Sequence, residues 1–171
     1  MSDIRISITE DTIKRVEKIL AGVPKGAPRA LSNAINRGLS KARTEAVREI
    51  KKIYTVNPGE IQKNTQIQVR RANAGEIAGY VSFSGVKIPL YKFSVNPKIP
   101  GTGEKVHAVV KRGGGGTFED GFIQKMRSSR HVGLFIREGR KRLPIEEVMG
   151  LAVAQMVGNE QVTEQMEKEA Q

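Results

Sequence analysis

Residues Pro28 to Tyr54 read PRALSNAINRGLSKARTEAVREIKKIY, and no other stretch limits the fold as strongly. Leu31, Ala34, Ile35, Leu39, Ala42, Ala46, Ile50 and Ile53 recur at three- and four-residue steps, which at about 100° per residue sets them on one side of a helix. Arg37, Lys41, Arg48 and Lys52 fall on the other side. With a rise of about 1.5 Å per residue the helix is roughly 40 Å long, the width of a small domain, and so serves as its spine. Pro28 suits the first turn, and Pro24, Gly26 and Pro28 together argue against a helix continuing from upstream. Gly38, about 1 kcal/mol poorer than alanine inside a helix, points to a close neighbour or a slight bend. Glu45 with Arg48 and Glu49 with Lys52 offset part of the positive charge, whereas Arg37 and Lys41 have no such help. Two readings of this basic face stay open, a solvated surface and a partner-facing one.

Before the spine, Ile4 to Ile8 alternates as a short strand, and Thr9 opens TEDTIKRVEKILAG, a short helix with Ile13, Val16, Ile19 and Leu20 as its apolar stripe. After Tyr54 the period changes from helical to two. Asn57-Pro58-Gly59 is a turn and Pro58 to Lys63 one helical turn. Strands are expected at 65–71 and 76–84, joined as a hairpin by ANAG, then at 86–93, 105–111 and 132–137. Pro89 marks the third of these as an edge or a bulge. A helix is expected from Pro144 to Met156. The fold class is therefore α+β. About five strands form one antiparallel meander packed against the long helix, with shorter N- and C-terminal helices and long Gly/Pro-rich loops.

At 171 residues the chain suits one domain, taken as 1–158, with mobile loops at 94–104 and 112–121 and an acidic, flexible tail at 159–171. A hydrophobic fraction of 38% and a mean hydropathy of -0.38 are low for a compact domain, so part of the surface is expected to await a partner. The net charge of +11 admits an anionic partner. Charge is segregated, because Glu160, Glu164, Glu167 and Glu169 crowd the end of an otherwise basic chain. The N-terminus has no apolar leader and no stretch approaches the roughly 20 apolar residues of a membrane span. A soluble protein made in a cytoplasm is expected.

Catalytic and cofactor chemistry finds no foothold. There is no cysteine, and His107 and His131 are the only histidines, one in an expected strand and one in a cationic turn. Glu146 and Glu147 are accounted for by a helix start. The run Gly113 to Gly116 lacks the Lys-Ser or Lys-Thr pair of a phosphate loop and is followed by Glu119 and Asp120, so it reads as a flexible loop. No catalytic residue, metal or cofactor is expected. Aromatic residues amount to 5%, too few for a base-stacking surface, which leaves a basic non-specific nucleic-acid-binding module as the alternative function.

Three stretches, ARTEAVREIKKIYTVNPGEI (42–61), GVKIPLYKF (85–93) and GFIQKMRSSRHVGLFIREGRKRLPIEEVMGLAVAQM (121–156), together resemble the minor tail protein Z family of tailed bacteriophages and prophages. Gly150-Leu151-Ala152 stands where related sequences have a glycine-proline-serine-like step. The resemblance implies a structural, non-enzymatic virion protein that completes the head-proximal end of the tail or joins it to the head as a ring subunit. It implies as partners other copies of itself, tail tube or tail terminator proteins, head connector proteins and DNA passing through the lumen, with no membrane. Assembly would take place in the host cytoplasm. Candidate interface residues are Arg37, Lys41, Ile99, Phe118, Phe122, Arg140, Lys141, Arg142, Glu164 and Glu167.

Overall fold

The computed structural model describes residues 2–139 and 141–170, and the side chains of Ser2, Ile4, Met166, Glu167, Glu169 and Ala170 fall outside that description. The fold is mixed α/β with antiparallel pairing, and it separates into two compact units.

The first unit gathers β1 (Ser2–Ser7), α1 (Glu10–Ile19), most of α2 (Gly26–Ile53), β2 (Thr65–Arg70), β3 (Ala78–Gly85) and α5 (Glu160–Ala170). α2 is the expected spine. Leu31, Ile35, Leu39, Ala42 and Ala46 are buried, while Arg37, Lys41 and Arg48 are exposed. Ala34, expected on the buried face, is exposed because it lies at the margin of the apolar arc. The Glu45–Arg48 pair forms at 3.5 Å. Gly38 is buried, as close packing requires.

The three strands of this unit are ordered β1-β3-β2, with β1 antiparallel to β3 from Ser2↔Phe83 to Ser7↔Ala78. The expected hairpin joins β2 to β3, and Asn73 shapes its turn by accepting from the N–H groups of Gly75 (2.8 Å) and Glu76 (3.0 Å). α2 comes down on β3 at Gly79, where an added Cβ would stand 2.6 Å from Leu39 Cδ1 and 2.8 Å from the Arg70 carbonyl. Asn36 ties the same helix to the hairpin. Its Nδ2 donates to the Ala72 carbonyl at 3.0 Å and its Oδ1 accepts from the Ala72 N–H at 3.0 Å.

The second unit holds the last turn of α2, α3 (Pro58–Lys63), β4 (Lys87–Pro89), β5 (Ser94–Asn96), β6 (Val106–Val109), β7 (Gly116–Phe118), β8 (Phe122–Lys125), β9 (Val132–Arg137), β10 (Ile145–Glu147), β11 (Met149–Ala152) and α4 (Val153–Val157). Its sheets are β10-β9-β8, β11-β4 and β5-β6-β7. The single five-stranded meander is thus replaced by four small sheets of two or three strands. Composition explains why. Strand 86–93 stops at Pro89 and turns into a 3-10 turn at Leu90–Lys92, so it pairs with β11 instead of continuing the hairpin.

Both expected loops contain strands, since β5 and β7 flank β6 on its two sides. The helix expected over 144–156 is confined to Val153–Val157. Its upstream half forms β10 and β11, because the Val148 N–H is taken by the Leu134 carbonyl (2.8 Å) and the Val148 carbonyl by the Leu90 N–H (2.9 Å). Gly150 permits this, as a Cβ there would lie 2.6 Å from the Phe93 ring. At the end of α2 the chain is stitched to β6. Tyr54 bridges Lys111, the Thr55 N–H donates to the Val110 carbonyl (3.0 Å), and the Thr55 hydroxyl donates to the Val109 carbonyl. The acidic tail is the helix α5, with Val162 fully buried.

Candidate assembly surface

In the first unit, α1 has the expected apolar stripe but buries none of its residues, and Ile19 is 79% exposed. The sheet has two end strands, and no described residue of β1 or β2 is buried. Across its polar side run Arg5, Tyr80 and Arg70, which line one shallow pocket with Glu76: Arg5 lies opposite Tyr80 in the β1–β3 ladder, and the Arg70 guanidinium donates to the Glu76 carboxylate at 2.7 Å. The hydrogen bond and then the charge of Glu76 push the Arg70 pKa above its ordinary value, so Arg70 is a permanent cation. Exposed basic residues Arg37 and Lys41 of α2 and exposed acidic residues Glu160 and Glu164 of α5 belong to this same unit. Among the described residues Arg37, Lys41, Glu160 and Glu164 make no ion pair.

In the second unit the expected interface residues are brought into different settings. Ile99 is 69% exposed. Phe118 is half-buried and packs over Gly121, where a Cβ would meet the Phe118 Cβ at 2.6 Å. Phe122 is not a free apolar contact, for the Arg137 guanidinium covers its ring at 4.5 Å and Phe135 lies at 6.3 Å between centroids. Such a cation over an aromatic face is worth about 0.5–1 kcal/mol at an exposed site. Lys141 and Arg142 are exposed in the connection between β9 and β10. Arg140 and the side chain of Glu167 lie outside the described residues.

Two features of this unit were not legible in the sequence. Glu147 is on a strand, and its Oε1 meets His131 Nε2 at 2.6 Å, beside Gly133, where a Cβ would stand 2.5 Å from the same oxygen. The macrodipole account of Glu147 therefore falls away. A polar cleft of about 570 Å³, lined by Thr55, Glu60, Tyr91, Lys92, Lys98 and Arg112 among others, holds a Lys92–Glu60 pair at 3.5 Å. Among the described residues no group of three or more His, Cys, Asp or Glu side chains is placed to hold a metal, and no helix is long and apolar enough to cross a membrane.

Exposed apolar side chains, and charges of both signs without ion-pair partners among the described residues, are surface features that a partner could use. The chain matches the prophage minor tail protein Z family (GPZ) over residues 9–171, nearly its whole length, and belongs to it. It is thus a structural component of a phage tail. No match is found among curated proteins or among solved structures.

Proposed function

We propose that this minor tail protein completes the head-proximal end of the tail and joins it to the head as one subunit of a ring. Within the family's tail role, one observation carries the reading. The basic Arg37 and Lys41 of α2 and the acidic Glu160 and Glu164 of α5 are all exposed and without ion-pair partners among the described residues. In a ring each subunit offers one patch to the neighbour on one side and a different patch to the other, so opposite charges on one chain supply a head-to-tail contact. Rim charges of this kind set register and encounter rate more than affinity. Tail tube or tail terminator proteins would be met on one side of the ring and head connector proteins on the other, with DNA passing through the lumen.

The test is charge reversal. Glu160→Lys with Glu164→Lys should slow incorporation into tails, and adding Arg37→Glu with Lys41→Glu should restore part of the rate. Incorporation of the chain carrying only Glu160→Lys and Glu164→Lys at the parental rate would refute the charge-paired contact. Truncation after Gly158 is the poorer test, because it also removes the buried Val162.

A further inference from the structure

We propose that the β1-β3-β2 sheet is continued from one copy of the chain to the next, with the free edge of β2 pairing in parallel with β1 of a neighbouring copy. The proposal rests on the ring reading and goes beyond it by naming the contact.

An end strand presents a row of unpaired N–H and C=O groups, and soluble proteins blunt such edges with lysine, proline, bulges or a covering element. β2 reads TQIQVR and uses none of the sequence devices. Its one charge, Arg70, is already engaged by Glu76. No residue of β2 is buried, and Val69 is 37% exposed. β1 ends the sheet on the opposite side, and its described residues are likewise not buried.

Direction and face select a second copy as the occupant. β1 is antiparallel to β3, and the short turn at 71–77 makes β2 antiparallel to β3 as well, so β1 and β2 run the same way. Repeating the sheet around a ring therefore sets β2 parallel to the next β1. Arg5, Tyr80 and Arg70 line one pocket and share one face of the sheet. By alternation Gln66 and Gln68 are on that face too, whereas Ile67, Val69 and Ile6 are on the other. Continuing the sheet hence sets Ile6 of one copy beside Ile67 and Val69 of another, apolar with apolar, and keeps the polar rows together. The two edges are different and lie at opposite ends of one sheet, which is the arrangement a head-to-tail interface needs.

The absence of cysteine from the chain gives a clean test. Tails are assembled from an equal mixture of Arg5→Cys chains with either Gln66→Cys or Gln68→Cys chains, oxidised, and run on a non-reducing gel. Neighbouring strands lie about 4.8 Å apart, within disulfide reach. Within one chain β1 and β2 are separated by β3, roughly 10 Å, beyond the ~7 Å limit. A dimer of this chain in at least one mixture, and in neither variant alone, is the expected result. Several copies per tail without a disulfide in either mixture would overturn the strand pairing and leave the ring standing. A dimer from Gln68→Cys alone would replace it by a symmetric β2–β2 contact, and a disulfide-free tail holding one copy would overturn both readings. All three substitutions are at exposed positions, so unchanged melting of the free variants is expected.

Discussion

The side chain of Asn36 reads the backbone of Ala72 as a neighbouring strand would, giving one hydrogen bond and taking another, each 3.0 Å long. Ala72 is 6% exposed, so removing the amide leaves a buried N–H and C=O unsatisfied. Asn36→Ala should cost about 1–3 kcal/mol, or roughly 2–10 °C in melting temperature for a chain of this size. Asn33→Ala, exposed on the same helix, should stay within about 0.5 kcal/mol of the parent. Equal melting of the two variants would show that the amide does not hold helix and hairpin together.

Ile50, fully buried on α2, gives a harsher test of the helix orientation. Ile50→Asp places a charge where burial without a partner is far more costly than any surface change, and the chain should fail to fold. Arg43→Ala, one exposed position on the same helix, should melt within about 0.5 kcal/mol of the parent. A folded, cooperative Ile50→Asp chain would mean that the helix faces the other way.

How much of this was legible follows from the range of the signals. α2 is stated by its own periodicity, and the span of β9 was readable from its apolar run, because both depend on residues close in sequence. Residues 144–152 fit a helical pattern just as well, yet the backbone of Val148 is claimed from both sides by Leu90 and Leu134. Propensity loses to such pairing. The site followed the same rule. The exposure of Arg37 and Lys41 was readable from their helix face, whereas the cover of Phe122 by Arg137 depends on the β8–β9 register. The free edges of β1 and β2 were invisible while consecutive strands were read as one meander, since β1 joins β3 across more than seventy residues of chain.

Gly133 and Glu147 should be energetically coupled. Gly133→Ala pushes a methyl into the carboxylate that His131 holds, at an expected cost of about 1–3 kcal/mol. In a Glu147→Ala background the obstacle is gone and the same change should cost clearly less, a coupling of about 0.5 kcal/mol or more in a denaturant-melt cycle. Additive costs would show that Glu147 moves aside freely.

Hydrogen exchange should divide the region from Ser94 to Arg130 into two classes. The β6 amides, flanked by β5 and β7, should be protected. The exposed Gly113, at φ 80°, should exchange fast in the free protein. Slow exchange at Gly113 in an isolated monomer would contradict the reading of this turn as mobile before assembly.

A ring at the head-proximal end is tested most directly by a reconstruction of isolated tails carrying this chain, by electron microscopy with rotational symmetry left free. Several copies arranged around the tail axis at the end that meets the head are the expected result. A single copy per tail, or copies at the distal end, would contradict it.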